Sequence, residues 1–270
     1  MDWARIMVPL SGGDGDARAL GAGAEVAGLF AAELAAVYAP PDVSDLMPWV
    51  GDGYMGGVQP AALDSLREAA AAGQAAAQGS VAACGYHRTA FVGLTSPVWA
   101  ALAMEGRLSD LVVFDDQAAR GRGALAAVFQ QIVAGEQRPT LVVRNGFRAE
   151  GVVAVAWDGG KEASRAARTA IPLLQKAREV VILNAPAASA RRSDPKALAA
   201  FFSARGVTAR ITMVAGGGDP GPALIREAKA LSADLLVAGA FGHTRLQEFI
   251  FGGTTRSFLQ AEAPSLFISH

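Results

Sequence analysis

The sequence repeats itself over its whole length, and this repeat restricts the possible folds more than any other feature. Three pairs of segments match in the same order, at separations of about 125 to 150 residues. The pairs are Arg5–Leu20 with Val152–Ala167, Ser109–Asp116 with Ala233–Ala240, and Arg138–Arg144 with Ala263–Ser269. We therefore expect two copies of one unit, a first domain over residues 1–146 and a second over residues 147–270.

Each copy alternates apolar runs that are typical of buried strands with patterns that are typical of helices. In the first copy we predict strands at Ile6–Leu10, Glu33–Tyr38, Thr89–Gly93, Leu111–Phe114 and Thr140–Arg144, and helices at Ala17–Phe30, Ala61–Ala83, Pro97–Glu105 and Gly123–Ala134. In the second copy we predict strands at Val152–Ala156, Glu179–Leu183, Thr208–Met213, Leu235–Ala238 and Ser265–Ile268, and helices at Glu162–Lys176, Pro195–Arg205, Pro220–Leu231 and Thr255–Ala261.

Strands that alternate with helices in this way imply parallel strands joined by right-handed crossovers. The pattern predicts an α/β fold of two tandem doubly wound sandwiches, each a Rossmann-like five-stranded parallel sheet. In such a sheet a ligand binds at the carboxyl ends of the strands, where the strand order reverses. In the second copy, the residues that follow the first and fourth strands at that point are Trp157–Gly160 and Gly239–Gly242.

The stretch Asp234–Leu259 has the layout of an anion-binding loop. A buried strand is followed by Gly239 and Gly242, and a helical pattern opens after a second glycine pair and two threonines, at 252–255. Glycine lets the backbone approach a ligand closely, and the free N–H groups at a helix start attract negative charge. The alternative is that these glycines serve tight packing alone, and the spacing leaves both interpretations open. His243 could likewise neutralise a phosphate or be a solvated loop residue.

Asp158 follows the first strand of the second copy, beside this loop. Its carboxylate could accept hydrogen bonds from a ribose or from an adenine amino group. It could equally complement the dipole of the helix predicted at Glu162–Lys176. The spacing does not decide between these two roles.

The spacing Gly239-x2-Gly242-x9-Gly252, with GHTRLQEFIFGGTTR inside it, resembles the nucleotide-loop signature of universal stress proteins. The resemblance is strong over Gly151–His270 and weaker over Met1–Arg144, so the chain looks like a tandem member of this family. It implies the fold of the adenine nucleotide alpha hydrolase-like class. It also implies ATP or ADP as the ligand, with Mg²⁺ as an ion that could accompany the nucleotide.

The resemblance also suggests which residues would contact the nucleotide. Asp158 would lie near the nucleoside, and groups at Ala156, Trp157 and Asn184 would contact the base. The phosphates would be held by the residues of the glycine loop and helix start, namely Gly239, Gly242, His243, Gly252, Gly253, Thr254 and Thr255. One position departs from the family pattern, because nucleotide-binding members carry Ser or Thr where this chain has Gly253. A hydroxyl is therefore displaced to the next positions.

The first copy departs much further from the pattern. Ser11 stands where the second copy has Asp158, and Asp115 stands where it has Gly239. The remaining loop positions carry Ala118, Val128 and Phe129. We expect the adjacent acids at 115 and 116 to repel a phosphate, so the first copy is predicted to have lost the pocket. The letters Gly121-x-Gly123-x-x-Ala126 match a dinucleotide fingerprint, but they do not follow the first strand of the unit.

Composition excludes several classes of function. The net charge of −1, with 18% charged residues, gives no basic surface for nucleic acid or for a membrane. The single cysteine, Cys84, cannot form an intrachain disulfide, and the N-terminus has no signal-peptide layout, so we expect a cytoplasmic protein. We find no P-loop, no assembled triad and no metal-ligand spacing among the three histidines. We therefore predict no catalytic residues, no metal-binding residues and at most slow ATP hydrolysis.

Two hypotheses about function follow. In the first, the chain is a stress-response protein whose second domain binds an adenine nucleotide and acts as a regulatory switch on an unknown protein partner. In the second, it is a nucleotide-free interaction or scaffold module that uses the long loop Ala39–Gln59 and the paired domains. By family resemblance, the last strands, Thr140–Arg144 and Ser265–Ile268, could pair within the chain to give an intramolecular pseudo-dimer. A homodimer would then need another surface.

Overall fold

The computed structural model describes residues 2–38, 40, 60–94, 98–185, 194–214, 219–240, 253–260 and 262–270. Most of the predicted long loop at 39–59 lies outside the described residues, as do Pro97, Gly242, His243 and Gly252. We call residues up to 146 the N-terminal half and residues from 147 onwards the C-terminal half.

Ten strands and ten helices are described. The strands are β1 Arg5–Leu10, β2 Glu33–Tyr38, β3 Thr89–Gly93, β4 Leu111–Asp115, β5 Thr140–Val143, β6 Val152–Trp157, β7 Glu179–Asn184, β8 Ala209–Met213, β9 Leu235–Gly239 and β10 Ser265–Ser269. The helices are α1 Gly15–Phe30, α2 Pro60–Cys84, α3 Val98–Gly106, α4 Asp116–Ala119, α5 Ala126–Gln130, α6 Lys161–Thr169, α7 Ile171–Lys176, α8 Pro195–Ser203, α9 Pro220–Ala230 and α10 Gly253–Gln260. A π-helical turn, Gln131–Gly135, continues α5.

All ten strands form one sheet, in the order β3-β2-β1-β4-β5-β10-β9-β6-β7-β8. Each half therefore has the same internal order, and within each half every pairing is parallel. The central strands are buried along their length, whereas the edge strands β3 and β8 alternate between partly buried and exposed residues. Strands that are covered on both faces are typical of parallel sheets with crossover helices. The predicted α/β fold class of two doubly wound five-stranded units is confirmed.

The predicted strands agree with the observed strands to within one residue at each end. Two predicted helices are wrong in extent. The helix predicted at Glu162–Lys176 is divided into α6 and α7, because Pro172 has no N–H and its ring interferes with the preceding turn. The helix predicted at Gly123–Ala134 begins later, at α5, since Gly123 has a positive φ of 75° that is incompatible with a right-handed helix.

The halves join where β5 and β10 pair in antiparallel fashion, with Leu141 opposite Phe267 at the centre of the pairing. This confirms the predicted pairing of the last strands within one chain. Buried side chains of both halves then form one apolar cluster on each face of the sheet. The ring of Trp3, from the first half, stacks on Phe267 with centroids 6.3 Å apart and an interplanar angle of 5°. The two halves therefore share their core.

Two aspartates show the internal symmetry at the level of single hydrogen bonds. Oδ2 of Asp110, just before β4, accepts from the backbone N–H groups of Ala4 and Arg5, at 2.7 and 3.0 Å. Oδ2 of Asp234, just before β9, accepts from the N–H of Val152 at 2.8 Å. Each carboxylate thus fixes the start of the first strand of its half to the fourth. Separately, none of the described helices has the length and apolar character needed to span a membrane.

Candidate functional site

The candidate site lies at the carboxyl ends of β6, β7 and β9 in the C-terminal half. The strand β6 has β7 on one side and β9 on the other, so successive crossovers diverge here and leave a crevice between β6 and β9. Trp157 ends β6 and is paired in register with Asn184 at the end of β7. Ala156, Trp157 and Asn184 are all less than a tenth exposed. The Nδ2 of Asn184 lies 3.5 Å from Sδ of Met213, which ends β8, on the side of β7 away from β6.

Asp158 shapes the turn between β6 and α6. Its Oδ1 accepts a hydrogen bond from the N–H of Gly160 at 2.7 Å. Gly159 adopts a positive φ of 75° in this turn, a conformation that glycine reaches without steric cost. Gly160 occupies the N-cap position of α6 and offers no side chain to cap the helix. The turn thus holds a carboxylate beside the start of a helix that has no side-chain cap.

Gly239, at the end of β9, touches the first turn of α6. A Cβ atom built on Gly239 would lie 2.4 Å from the carbonyl carbon of Glu162 and 2.5 Å from the nitrogen of Ala163. Such contacts with a helix backbone are impossible without moving the helix. Tight packing, one of the two interpretations of this glycine, is therefore sufficient to explain Gly239, and the same packing leaves the end of β9 without a side chain.

The helix start at α10 is fastened to α9 by one carboxylate. Asp219, the N-cap of α9, accepts from the N–H of Gly221 at 3.0 Å, and its oxygens also accept from the hydroxyls of Thr254 at 2.9 Å and Ser257 at 3.2 Å. Thr255 is buried at 7% exposure, and Gly253 is the first residue of the helix. Since α10 lies between the parallel strands β9 and β10, its N-terminus faces the carboxyl edge. Thr254 already donates its hydroxyl proton to Asp219.

Two titratable residues near this edge were not singled out from the sequence. His270 follows β10, and burial lowers the pKa of its imidazole. The positive charges of Arg165 and Lys161 lower this pKa further, whereas the negative charge of Glu162 raises it. Glu162 has a largely buried side chain that approaches Lys161 at 3.4 Å. Neither residue forms a recognisable sequence motif, and only the parallel pairing of β10 with β9 brings His270 to this edge.

At the carboxyl ends of the strands in the N-terminal half, a carboxylate from α1 accepts hydrogen bonds from the loop after β1. Asp16 is 3% exposed, and its oxygens accept from the N–H groups of Ser11 and Gly12, the shortest contact being 2.7 Å. Burial raises the pKa of Asp16 above its ordinary value, and nearby Asp115 adds to the rise while the hydrogen bonds oppose it. The loop N–H groups at this edge therefore have an internal acceptor.

The helix α2 packs against the same strand ends, where it contacts Tyr38 and Gly12. The hydroxyl of Tyr38, which ends β2, donates to the carbonyl of Ala70 at 2.8 Å. Gly12 meets Gly73 so closely that a Cβ at Gly12 would lie 2.5 Å from the Gly73 backbone. Tyr38 stands where the C-terminal half has Asn184, since each ends the second strand of its half. Tyr38 and α2 therefore pack together over this end of the N-terminal half.

Asp115 and Asp116 are engaged in ion pairs, which changes the expectation that they repel a phosphate. Arg18 pairs with Asp115, and Arg120 pairs with Asp116 at 2.9 Å. Both aspartates are nearly buried, at 9% and 8% exposure. Each of these two aspartates therefore has an ion-pair partner within the half, so the pair does not present the unpaired negative charge that we expected.

Arg144, which follows β5, joins the two halves beneath α10. Its guanidinium donates to the backbone carbonyls of Pro264 at 2.7 Å, Phe258 at 2.8 Å and Leu259 at 3.2 Å. Its Nε lies 3.9 Å from Oδ2 of Asp116. Burial lowers the pKa of Arg144 to about 10, with Asp116 opposing the shift, so the group stays charged at neutral pH. A cation of the first half therefore caps the last carbonyls of a helix in the second.

No metal centre is evident in the part of the chain that the structure describes, where no three His, Cys, Asp or Glu side chains are grouped as ligands. Gly242, His243 and Gly252 complete the predicted site and lie outside the described residues. The structure thus brings together Trp157, Asp158, Asn184, Gly239 and the helix start at 253–255 on one edge of the sheet.

Comparison with known proteins places this architecture. Residues 151–266 match the model of the universal stress protein family. The chain resembles the solved structure of a universal stress protein from Archaeoglobus fulgidus DSM 4304, with a TM-score of 0.69 at 13% identity, over 98% of this chain and 95% of that one. It also resembles a protein assigned to the same family from Pseudomonas aeruginosa UCBPP-PA14, with a TM-score of 0.58 at 16% identity, over 99% and 93% of the two chains. At these identities the likeness establishes the fold. No curated protein sequence matches the chain.

Proposed function

We propose that the C-terminal half binds an adenine nucleotide at the carboxyl ends of its strands. Residues 151–266 of this half match the model of the universal stress protein family. In this proposal the chain is a stress-response protein of the cytoplasm, and the bound nucleotide acts as a regulatory switch. A switch of this kind requires the nucleotide to bind one conformation, or one partner-bound state, more tightly than the other.

The difference between the two edges carries the proposal. At the N-terminal edge, Asp16, Tyr38 and the α2 backbone occupy the loop donors and the space above the strands. At the C-terminal edge, the matching positions hold Ala163 and Asn184, which are smaller side chains. A crevice at a topological switch point is where doubly wound sheets bind nucleotides.

Each residue at the C-terminal edge has a role in this proposal. The carboxylate of Asp158 would accept from the ribose or from the adenine amino group, and groups at Ala156, Trp157 and Asn184 would line the base. The start of α10 would direct N–H groups at the phosphates. Thr254 can keep its bond to Asp219 and still present hydroxyl lone pairs, which suits a cation such as Mg²⁺ that the phosphates bring with them.

The first test is to purify the chain without added nucleotide, denature it, identify any released small molecule by mass spectrometry, and titrate the ligand-free chain with ATP by calorimetry. We expect one nucleotide per chain. Asp158→Ala should weaken binding about tenfold or more, because a lost hydrogen bond to a charged group contributes about 1.5–3 kcal/mol.

The matched control is Ser11→Ala, because Ser11 occupies the position of Asp158 in the N-terminal half. It should leave both the affinity and the stoichiometry unchanged. Two nucleotides per chain, or an equal loss of affinity in the two variants, would contradict the assignment of the site to the C-terminal half. The absence of binding heat at millimolar ATP would reject nucleotide binding altogether.

A nucleotide-free interaction module is the second candidate function. One contact favours the nucleotide-free module. The hydroxyl of Thr254, which the sequence predicts to bind phosphate, already donates to Asp219. Gly253 also leaves the preceding position without a hydroxyl. If calorimetry shows no binding, this candidate becomes the better account of the chain.

A further inference from the structure

A groove runs along the outer surface of the C-terminal half, between α9 and α10. Its volume is about 620 Å³, and it is lined by Pro222, Ile225, Arg226, Lys229, Arg256, Ser257, Gln260 and Glu262. The lining residues of α9 extend from 222 to 229, so the groove is about 10 Å long at 1.5 Å per helical residue. That length matches about three residues of an extended peptide, at about 3.3 Å per residue.

Cations dominate the rim of the groove. Arg226, Lys229 and Arg256 are exposed, and Glu262 is the single acid among the lining residues. The charged groups of these three cations form no hydrogen bond or ion pair with any residue that the structure describes. Ile225, at 7% exposure, forms an apolar floor below them. The groove therefore offers an excess of positive charge above an apolar strip.

The N-terminal half has no equivalent of this surface. Aligning Leu111 with Leu235, the first residues of β4 and β9, places Leu102 opposite Arg226 and Glu105 opposite Lys229. Glu105 is moreover paired with Arg5 at 2.8 Å. The cationic groove is thus a property of the C-terminal half and does not follow from the shared fold.

The shape and charge of the groove indicate what it could bind. Small molecules are generally held in sites that enclose most of their surface, whereas these cations stand exposed on an open rim. Nucleic acid generally needs a wider basic surface than a single groove on a chain of net charge −1. An acidic peptide segment matches both features, because arginine pairs well with carboxylates and an aliphatic side chain can lie on Ile225.

We propose that the groove between α9 and α10 is a docking site for an acidic segment of a partner protein, with carboxylates bound by Arg226, Lys229 and Arg256. The proposal stands independently of nucleotide binding, because none of these three side chains belongs to the candidate nucleotide site. It supplies a surface through which either of the two candidate functions could act on a protein partner.

The test uses the full chain without nucleotide and a fluorescein-labelled peptide of alternating Glu and Leu residues, followed by fluorescence anisotropy at low salt. A peptide with Gln in place of Glu is the probe control. The double variant Arg226→Gln/Arg256→Gln should weaken binding of the acidic peptide about tenfold. The variant Arg226→Lys/Arg256→Lys, which keeps the charges but not the planar guanidinium, should weaken binding less than the Gln variant does.

The matched control is Arg88→Gln/Arg122→Gln, which removes two exposed cations from the N-terminal half and changes the net charge equally. It should change the affinity less than about twofold. An equal loss in the control variant would show that the attraction is a non-specific effect of net charge and would overturn the proposal. Equal affinity for the Gln peptide, or no saturable binding at millimolar peptide, would also overturn it.

Discussion

The same close contact between a strand end and a helix start occurs in both halves, but glycine lies on the helix in one half and on the strand in the other. In each half the end of the fourth strand meets the start of the first helix. In the N-terminal half the glycine is on the helix, since a Cβ at Gly15 would lie 2.9 Å from the side chain of Asp115. In the C-terminal half the glycine is on the strand, where Gly239 meets the backbone of Glu162 and Ala163.

This exchange changes what the carboxyl end of the fourth strand carries in each half. With Gly15 on the helix, the strand end can carry a carboxylate, and Asp115 joins the internal ion pairs that close the N-terminal edge. With Gly239 on the strand, the strand end has no side chain in the crevice between β6 and β9. The comparison teaches that one residue of a close contact can decide whether the same fold presents side chains or bare backbone at the carboxyl ends of its strands.

The largest effect should come from removing the guanidinium of Arg144, which connects the two halves. The variant Arg144→Met leaves three backbone carbonyls, those of Phe258, Leu259 and Pro264, without their buried donor. It also removes a charge that faces Asp116. We expect the free energy of unfolding, measured by urea denaturation at pH 7, to fall by about 3–5 kcal/mol.

The control for this prediction is Arg107→Met, which breaks an ion pair with Glu136 on the surface of the N-terminal half alone. Exposed pairs of this kind contribute about 0–1 kcal/mol. A loss in Arg144→Met that is no larger than the control would mean that Arg144 does not stabilise the junction, which would then depend on the β5–β10 pairing and the shared core alone.

A smaller effect should distinguish the two glycine contacts. Gly239→Ala forces a Cβ against helix backbone, and we expect it to cost about 1–3 kcal/mol. Gly15→Ala meets the side chain of Asp115, which can shift more easily than helix backbone, so we expect a smaller cost than at Gly239. Urea denaturation measures both.

A rescue experiment sharpens this contrast. Removing the neighbouring side chain with Asp115→Gly should reduce any cost of Gly15→Ala, because the clash there is with that side chain. Glu162→Ala should not rescue Gly239→Ala, since the clash involves the backbone at 162 and 163. Rescue in both halves would show that side chains set both contacts and that the asymmetry described above is wrong.

The smallest effect is a pH dependence of opposite sign in the two halves. The raised pKa of Asp16 means that the folded chain binds more protons than the unfolded chain, so its contribution is complete below the ordinary value of 3.8 and is lost as the pH rises through the folded pKa. The lowered pKa of His270 means the reverse, so its contribution is complete above the ordinary value of 6.5 and is lost as the pH falls.

Two variants isolate these contributions. As the pH falls from about 6.5, the wild-type chain should lose unfolding free energy relative to His270→Gln. As the pH falls towards about 4, it should gain relative to Asp16→Asn. Urea denaturation across this range gives both slopes, and slopes of the same sign would show that one of the two groups has been assigned the wrong environment.

Much of the fold could be predicted because its strands are signalled locally. Buried parallel strands read as short apolar runs between glycines, prolines and helical patterns, and each predicted strand agrees with the observed one to within one residue. The helices were less exact where a local residue interrupted them, at Pro172 and at Gly123. The alternation of strands and helices also predicted that the carboxyl ends of β6 and β9 would lie side by side, as their parallel pairing shows.

The substituted loop of the N-terminal half predicts that its pocket is lost, and this stays a prediction, but the contacts made at that end of the half could not be predicted. The contact of Asp16 with Ser11 and Gly12 is local in sequence, yet the bonds of Tyr38 to α2 and of Arg18 to Asp115 join distant segments. The role of Arg144 could not be predicted either, because the carbonyls to which it donates lie more than a hundred residues away.

The sequence by itself determined the repeat, the strand positions and which strand ends carry the glycines of the candidate site, because hydrophobic period and glycine position are encoded within short segments. The tertiary structure alone decided which side chains pair across that edge, that α9 and α10 enclose a cationic groove, and that Arg144 caps a helix of the other half. These features depend on contacts between segments that are remote in sequence, and no local pattern of residues records which of them will meet.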